Sequence, residues 1–162
     1  MERFTNCRTE YWNAIKTELL NFSEYERDQS QLFTYLEMGQ LLTHGFAVQQ
    51  TSKNINDLKL RVWDSAFDNK RFNLGIYNLD RLAVTEKTIC LNSMDTHKIK
   101  RWLAQRPELI NWNGIIVDGL FCQLEIKDEK IEWNINAQIN SDLVKFVEFL
   151  RVKAYNKNDT CL

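Results

Sequence analysis

Residues 120–137 read Leu-Phe-Cys-Gln-Leu-Glu-Ile-Lys-Asp-Glu-Lys-Ile-Glu-Trp-Asn-Ile-Asn-Ala. Leu120, Cys122, Leu124 and Ile126 alternate with Phe121, Gln123 and Glu125. Beyond a turn at Lys127–Lys130, Ile131, Trp133, Ile135 and Ala137 alternate with Glu132, Asn134 and Asn136. A period of two sends successive side chains to opposite faces of a strand, and two such runs across a short turn make a hairpin. Pairing Ile126 with Ile131 and Leu124 with Trp133 places both apolar rows on one face. A one-residue slip would turn one row outward, so this register is expected to be well specified. The same pairing sets Glu125 directly opposite Glu132 on the other face, where like charges are mildly destabilising. Ile115–Val117 precede this hairpin across Asp118-Gly119, a good turn pair.

On the C-terminal side, Ser141 can cap an amphipathic helix to about Tyr155, with Leu143, Phe146, Val147, Leu150 and Ala154 inward. On the N-terminal side, Ser93 can cap a helix to about Gln105, with Ile99, Trp102 and Leu103 inward and Pro107 as its stop. Further back, Leu82–Thr85 and Thr88–Leu91 form a candidate hairpin around Glu86-Lys87, and Arg71–Tyr77 alternates like a strand at Phe72, Leu74 and Ile76. Residues 53–67 fit two periods. Leu58, Leu60 and Val62 alternate, whereas Ile55, Leu58, Val62, Ala66 and Phe67 recur at helical spacing. Asn and Asp at 54–57 offer caps, which favours helix. Phe46–Gln50 suits a short strand.

The first residues suit helices. Tyr11, Trp12, Ile15, Leu19 and Phe22 share one face of a helix over 9–22. Ser23-Glu24-Tyr25-Glu26 has capping-box form, so a second helix is expected from there, or from Ser30, to about Thr43, with Gly45 at its C-terminal end. The expected fold is α+β: a single domain over residues 1–155, a mostly antiparallel sheet flanked by two N-terminal helices and one C-terminal helix, with a polar tail at 156–162.

Composition agrees. The 162 residues are 44% hydrophobic and 27% charged, with Gly 5 and Pro 1, which excludes disordered, collagenous and linker-rich chains. The net charge of −1 conceals a gradient: −3 over residues 1–50, +4 over 51–110 and −2 over 111–162. Neither the broad basic footprint of a nucleic-acid binder nor the polybasic cluster of a membrane-surface protein is present. The longest run without Asp, Glu, Lys or Arg, Met38–Ser52, is too short and too polar to span a bilayer. The start of the chain is charged where a signal peptide needs an apolar core. Cys7, Cys90, Cys122 and Cys161 are scattered without a CxxC pair and read as reduced core thiols, which points to the cytoplasm. Sixteen Asn, with many Ile and Lys, is the composition of an A/T-rich bacterial or phage gene.

The chemical motifs are sparse. His44 and His97 stand apart from any cysteine cluster or HExxH motif, so no metal and no cofactor is expected. Phosphate loops of the GxxxxGK[ST] and GxGxxG kinds are absent, as is a GxSxG elbow. Asp118, Glu125 and Lys127 resemble the D…ExK signature of PD-(D/E)xK nucleases, in which two carboxylates hold a divalent metal and Lys assists the attacking water. On one extended strand, however, Asp118 and Glu125 would lie roughly 23 Å apart, too far to share an ion. The basic segment with His97, Lys98, Lys100, Arg101 and Arg106 spreads its charge over more than one side of a helix and reads as a solvated face.

A small cytoplasmic domain with acidic ends, many aromatics and no assembled catalytic set fits a protein-binding inhibitor. Its most concrete form is a bacterial immunity protein neutralising a toxin such as a nuclease. The alternatives are a metal-dependent nuclease or other nucleic-acid enzyme, and a non-catalytic subunit of a larger assembly. The expected docking surface for a basic toxin domain is the acidic strip Glu125, Asp128, Glu129 and Glu132, with Glu24, Glu26 and Asp28 as a second acidic group. Trp112, in a loop, is a candidate anchor.

Overall fold

Gln31–Gly39, the first strand (β1), decides the architecture: Phe33, Tyr35, Leu36 and Met38 are all buried, so both of its faces are covered. The computed structural model describes residues 2–22, 31–39, 41–76, 79–105, 119–127, 129–134 and 141–156, with side chains from residue 8 onward. Around β1 lie helix α1 (Glu2–Leu20), β2 (Gly45–Thr51), β3 (Asp57–Trp63), α2 (Ser65–Asn73), β4 (Val84–Cys90), α3 (Ser93–Ala104), β5 (Leu120–Ile126), β6 (Glu129–Asn134) and α4 (Ser141–Tyr155). The six strands form one sheet in the order β4-β3-β2-β1-β5-β6, every neighbouring pair antiparallel. The fold is α+β, as the sequence predicts.

Each face of the sheet has its own core. Tyr11, Ile15, Leu19 and Phe22, on and just after α1, pack on Leu36, Met38, Ala47 and Trp63. On the opposite face, Leu143, Phe146, Val147, Leu150 and Ala154 of α4, with Ile99 of α3, pack on Phe33, Tyr35, Phe46, Val48, Leu58, Leu60, Leu124 and Trp133. The inward residues of α4 are those its spacing predicts. Arg61 of β3 ties α1 to the sheet, donating to Glu18 at 2.6 Å and to Glu86 at 2.8 Å.

Several sequence expectations give way. The second N-terminal helix is β1: a strand buried on both faces loses its alternation, and a continuous apolar run then imitates a helix. Its proposed start at Ser23–Glu26 lies outside the described residues. Gly45 does not end a helix but opens β2. A Cβ there would sit 2.9 Å from Leu19 Cδ1, so the glycine lets α1 approach the sheet. Residues 53–67 divide into β3 and the start of α2, the strand period winning because Leu58, Leu60 and Val62 share the core face. Arg71–Asn73 belong to α2 rather than to a strand. The proposed hairpin at 82–91 is one edge strand, β4. Asn92, not Ser93, caps α3, accepting from Asp95 N at 2.8 Å.

The β5–β6 hairpin is real but two residues out of the expected register. Leu124 faces Ile131, Cys122 faces Trp133, and Ile126 faces Glu129, which makes the turn shorter than expected. The shift is even, so the apolar rows keep their face. It separates Glu125 from Glu132, however: Glu125 lies opposite Lys130, and Glu132 opposite Gln123. Opposite charges thus meet where like charges were expected. Lys127 pays for the tight turn with φ 55°. Cys122 is a buried free thiol, whereas Cys90 is disulfide-bonded, which removes it from the set of reduced thiols and with it part of the argument for a reducing compartment. Ile115–Val117, Asp118 and the tail beyond Asn156 lie outside the described residues.

Candidate functional site

The sheet registers place three side-chain rows across the face that carries α1. Asn134, Phe121, Met38, Gly45, Trp63 and Val84 form the first, Glu132, Gln123, Leu36, Ala47, Arg61 and Glu86 the second, and Lys130, Glu125, Thr34, Gln49, Lys59 and Thr88 the third. The face therefore changes from largely apolar to wholly polar along the strands. The hairpin face that the sequence assigns to solvent is part of this surface, and α1 covers some of it. Trp12 meets Phe121 edge-on at 5.3 Å, and Lys16 lies 4.6 Å from the same ring.

That placement changes the acidic strip. Glu132 is held by Lys130 at 2.7 Å and by Lys16 at 3.7 Å. The Lys130 hydrogen bond keeps its carboxyl below the ordinary value. Glu125 is half-buried beside Lys130, and Glu129 is exposed at the start of β6. Asp128, Glu24, Glu26, Asp28 and Trp112 lie outside the described residues. Two of the three described acids therefore stand opposite or against lysines, which dilutes the field that would steer a basic partner.

The most connected polar centre was not anticipated. Glu37, only 2% exposed, projects from β1 toward α4. Its Oε2 accepts from Tyr35 Oη at 2.6 Å and from Arg151 Nε at 2.8 Å, and His44 Nε2 lies 3.5 Å from Oε1. Burial pushes this carboxyl upward, but the bonds from His44, Tyr35 and Arg151 outweigh burial and hold it below the ordinary value. Tyr35 also reaches Cys122 Sγ at 3.5 Å. Burial pushes the Cys122 thiol up to about 12, so it remains protonated and unreactive at neutral pH. Both Glu37 oxygens are engaged by protein groups, and the centre works as a clamp between β1 and α4. A glutamate inside an otherwise apolar strand was its only signal in the sequence.

A second unanticipated feature is α2, which buries an aspartate and exposes a phenylalanine. Among its described side chains the buried one is Asp68, 3% exposed, while Phe67 is 55% and Leu74 69% exposed. Asp68 is fully used. Its Oδ2 accepts from Trp63 Nε1 at 2.9 Å and from Ala83 N at 2.6 Å, and its Oδ1 from Arg71 at 3.1 Å. These bonds fix the rotation of the helix: Phe72 turns inward and stacks on Tyr11 at 4.4 Å, while Phe67 and the following Leu74 face outward. Exposed Ile76 follows the helix, and exposed Leu41 sits in the β1–β2 loop, which Ser65 and Asn69 bind through the carbonyls of Thr43 and Leu42. Arg71 lies 5.6 Å from the Phe67 ring, and exposed Lys70 and Arg81 flank the patch. Outward Phe and Leu at positions i and i+7 were legible in the sequence, but reading 71–77 as a strand concealed them.

Among the described residues no group of three His, Cys, Asp or Glu side chains is placed to hold a metal ion, and no helix is long and apolar enough to cross a membrane. No family model, no curated protein and no solved structure matches the chain.

Proposed function

We propose that this chain is a non-catalytic protein that binds and blocks another protein, most concretely an immunity protein that neutralises a toxin enzyme in the cytoplasm of a bacterium. The observation that carries this reading is helix α2 with the residue that ends it, which buries Asp68 and presents Phe67 and Leu74 to solvent. An exposed apolar patch with a polar border is the usual mark of a protein contact, and a large aromatic at its centre supplies most of the binding energy in such contacts. The exposed basic residues beside this patch are Lys70 and Arg81, Arg71 being paired with Asp68. The partner surface it complements is therefore apolar at its centre and carboxylate-rich at its rim. This differs from the basic domain that the hairpin strip would take, and the lysines around Glu125 and Glu132 support the change of face.

The test uses the protein encoded by the reading frame adjacent to this chain's own gene, produced with and without this chain. The expected result is a stable complex, with the neighbour's toxicity abolished. Phe67→Asp or Leu74→Asp should weaken binding at least tenfold, a loss of about 1.4 kcal/mol or more, while changing unfolding stability by less than about 0.5 kcal/mol because both side chains are exposed. The double variant Glu125→Lys, Glu132→Lys should bind nearly as wild type. Tight binding that is indifferent to both α2 substitutions would move the contact elsewhere. Absence of binding together with Mg²⁺-dependent cleavage of DNA or RNA by this chain alone would replace the inhibitor reading with the nuclease.

A further inference from the structure

At one end of the polar row on the α1 face, where β2, β3 and β4 run side by side, a pocket of about 260 Å³ is lined by Gln49, Thr51, Asn54, Asp57, Lys59 and Thr88. Gln49, Lys59 and Thr88 stand directly opposite one another on adjacent strands. Thr51 and Asp57 are the next residues on the same face, and Asn54 lies in the turn between β2 and β3, its carbonyl accepting from Asp57 N at 3.1 Å. With strands about 4.8 Å apart and alternate residues about 6.6 Å apart, the floor measures roughly 10 by 7 Å. Gln49 is only 3% exposed, yet its Oε1 has no hydrogen-bond partner. Such an orphan acceptor costs stability unless something donates to it.

We propose that this pocket binds a neutral, polyhydroxylated small molecule the size of a single sugar ring. The lining itself selects that class. One carboxylate and one ammonium, two amides and two hydroxyls line the pocket, and none of the six is an apolar residue. An anion meets Asp57. A cationic amine meets Lys59. An apolar ligand would offer the amides, the hydroxyls and both charges no hydrogen bond. A polyol offers a donor and an acceptor at every carbon, matching Asp57 as acceptor, Lys59 as donor and the two threonines as either. The volume equals that of about nine waters at roughly 30 Å³ each, enough for one pyranose-sized ring.

The experiment is a titration of the labelled protein, followed through the side-chain amide signals of Gln49 and Asn54 in ¹H–¹⁵N spectra. The probes are glucose, arabinose and myo-inositol, with glutamate and putrescine as charged comparators. At least one polyol should shift both amides saturably, and neither charged probe should. In Gln49→Leu the Asn54 amide should no longer shift, and removal of the orphan oxygen should raise the melting temperature of the free protein. Thr88→Val substitutes an isostere at an exposed edge-strand position, so the fold is kept whatever Gln49→Leu does. It should weaken binding about fivefold, the loss of one hydrogen bond. Failure of every polyol to saturate the amides means a water-filled cavity and overturns the proposal. So does saturation by glutamate or putrescine in place of the polyols.

Discussion

Single atoms decide how closely α1 sits on the sheet. At Gly45 an added methyl would lie 2.9 Å from Leu19 Cδ1, and Leu19 is wholly buried, with Met38 and Trp63 close behind. Gly45→Ala should therefore cost about 1–3 kcal/mol in a denaturant titration, as overpacked cores do. Trimming Leu19 to Ala in the same chain should recover part of that loss, giving a favourable coupling between the two sites. Equal costs for Gly45→Ala with Leu19 intact or trimmed would show that the glycine serves backbone freedom rather than close approach. Lys127 presents the complementary case, a side chain where the backbone favours none. Its φ of 55° falls in the left-handed region, so Lys127→Gly should stabilise the protein by about 1 kcal/mol, read as a higher urea midpoint with an unchanged slope.

At the scale of elements, legibility followed solvent exposure. α4 was readable to the residue because one of its faces is wet and the other dry. The β5–β6 hairpin was readable as to face but not register: alternation fixes parity, and only the turn geometry distinguishes Ile126 opposite Ile131 from Ile126 opposite Glu129. β1 was illegible because burial on both faces erased its period, and β4 because, as an edge strand, it carries Thr85, Glu86 and Lys87 at its centre, a composition that reads as a turn. The candidate interaction face escaped for a related reason. The rotation of α2 is set by hydrogen bonds to Asp68 from Trp63 and from Ala83, a residue of the chain beyond the helix, and no periodicity within the helix encodes them. The acidic strip, by contrast, was visible as a string of letters, while the lysines that answer it come from α1 and β6.

At the scale of the molecule, the Glu37–Arg151 pair joins β1 to α4 across 114 positions of sequence. Folding lowers the Glu37 carboxyl below its unfolded value, so the clamp's contribution is complete above the ordinary Glu range, around pH 4.3, and is lost as the pH falls through the lower folded value. Unfolding free energies measured from neutral to acidic pH should therefore fall on acidification in the wild type and fall less steeply in Glu37→Leu. Arg151→Met leaves the buried carboxylate with Tyr35 and His44 alone, and should cost about 3 kcal/mol at neutral pH. An acid-side slope unchanged in Glu37→Leu would assign the pH dependence to other carboxylates.

The same strand order has a consequence in time. β1, β2, β3 and β4 follow one another as a meander, and β5 and β6 are a local hairpin, so each part can form from nearby chain. Within the sheet the β1–β5 seam joins them, and Tyr35 meets Cys122 there across 87 positions. Closing so long a loop carries an entropic cost that must be met before the seam's contacts can repay it. Docking of the hairpin onto the meander is thus the natural rate-limiting event. Until it occurs, both edges of the unfinished sheet, including β1 with its two natively covered faces, stand open to any other strand in solution.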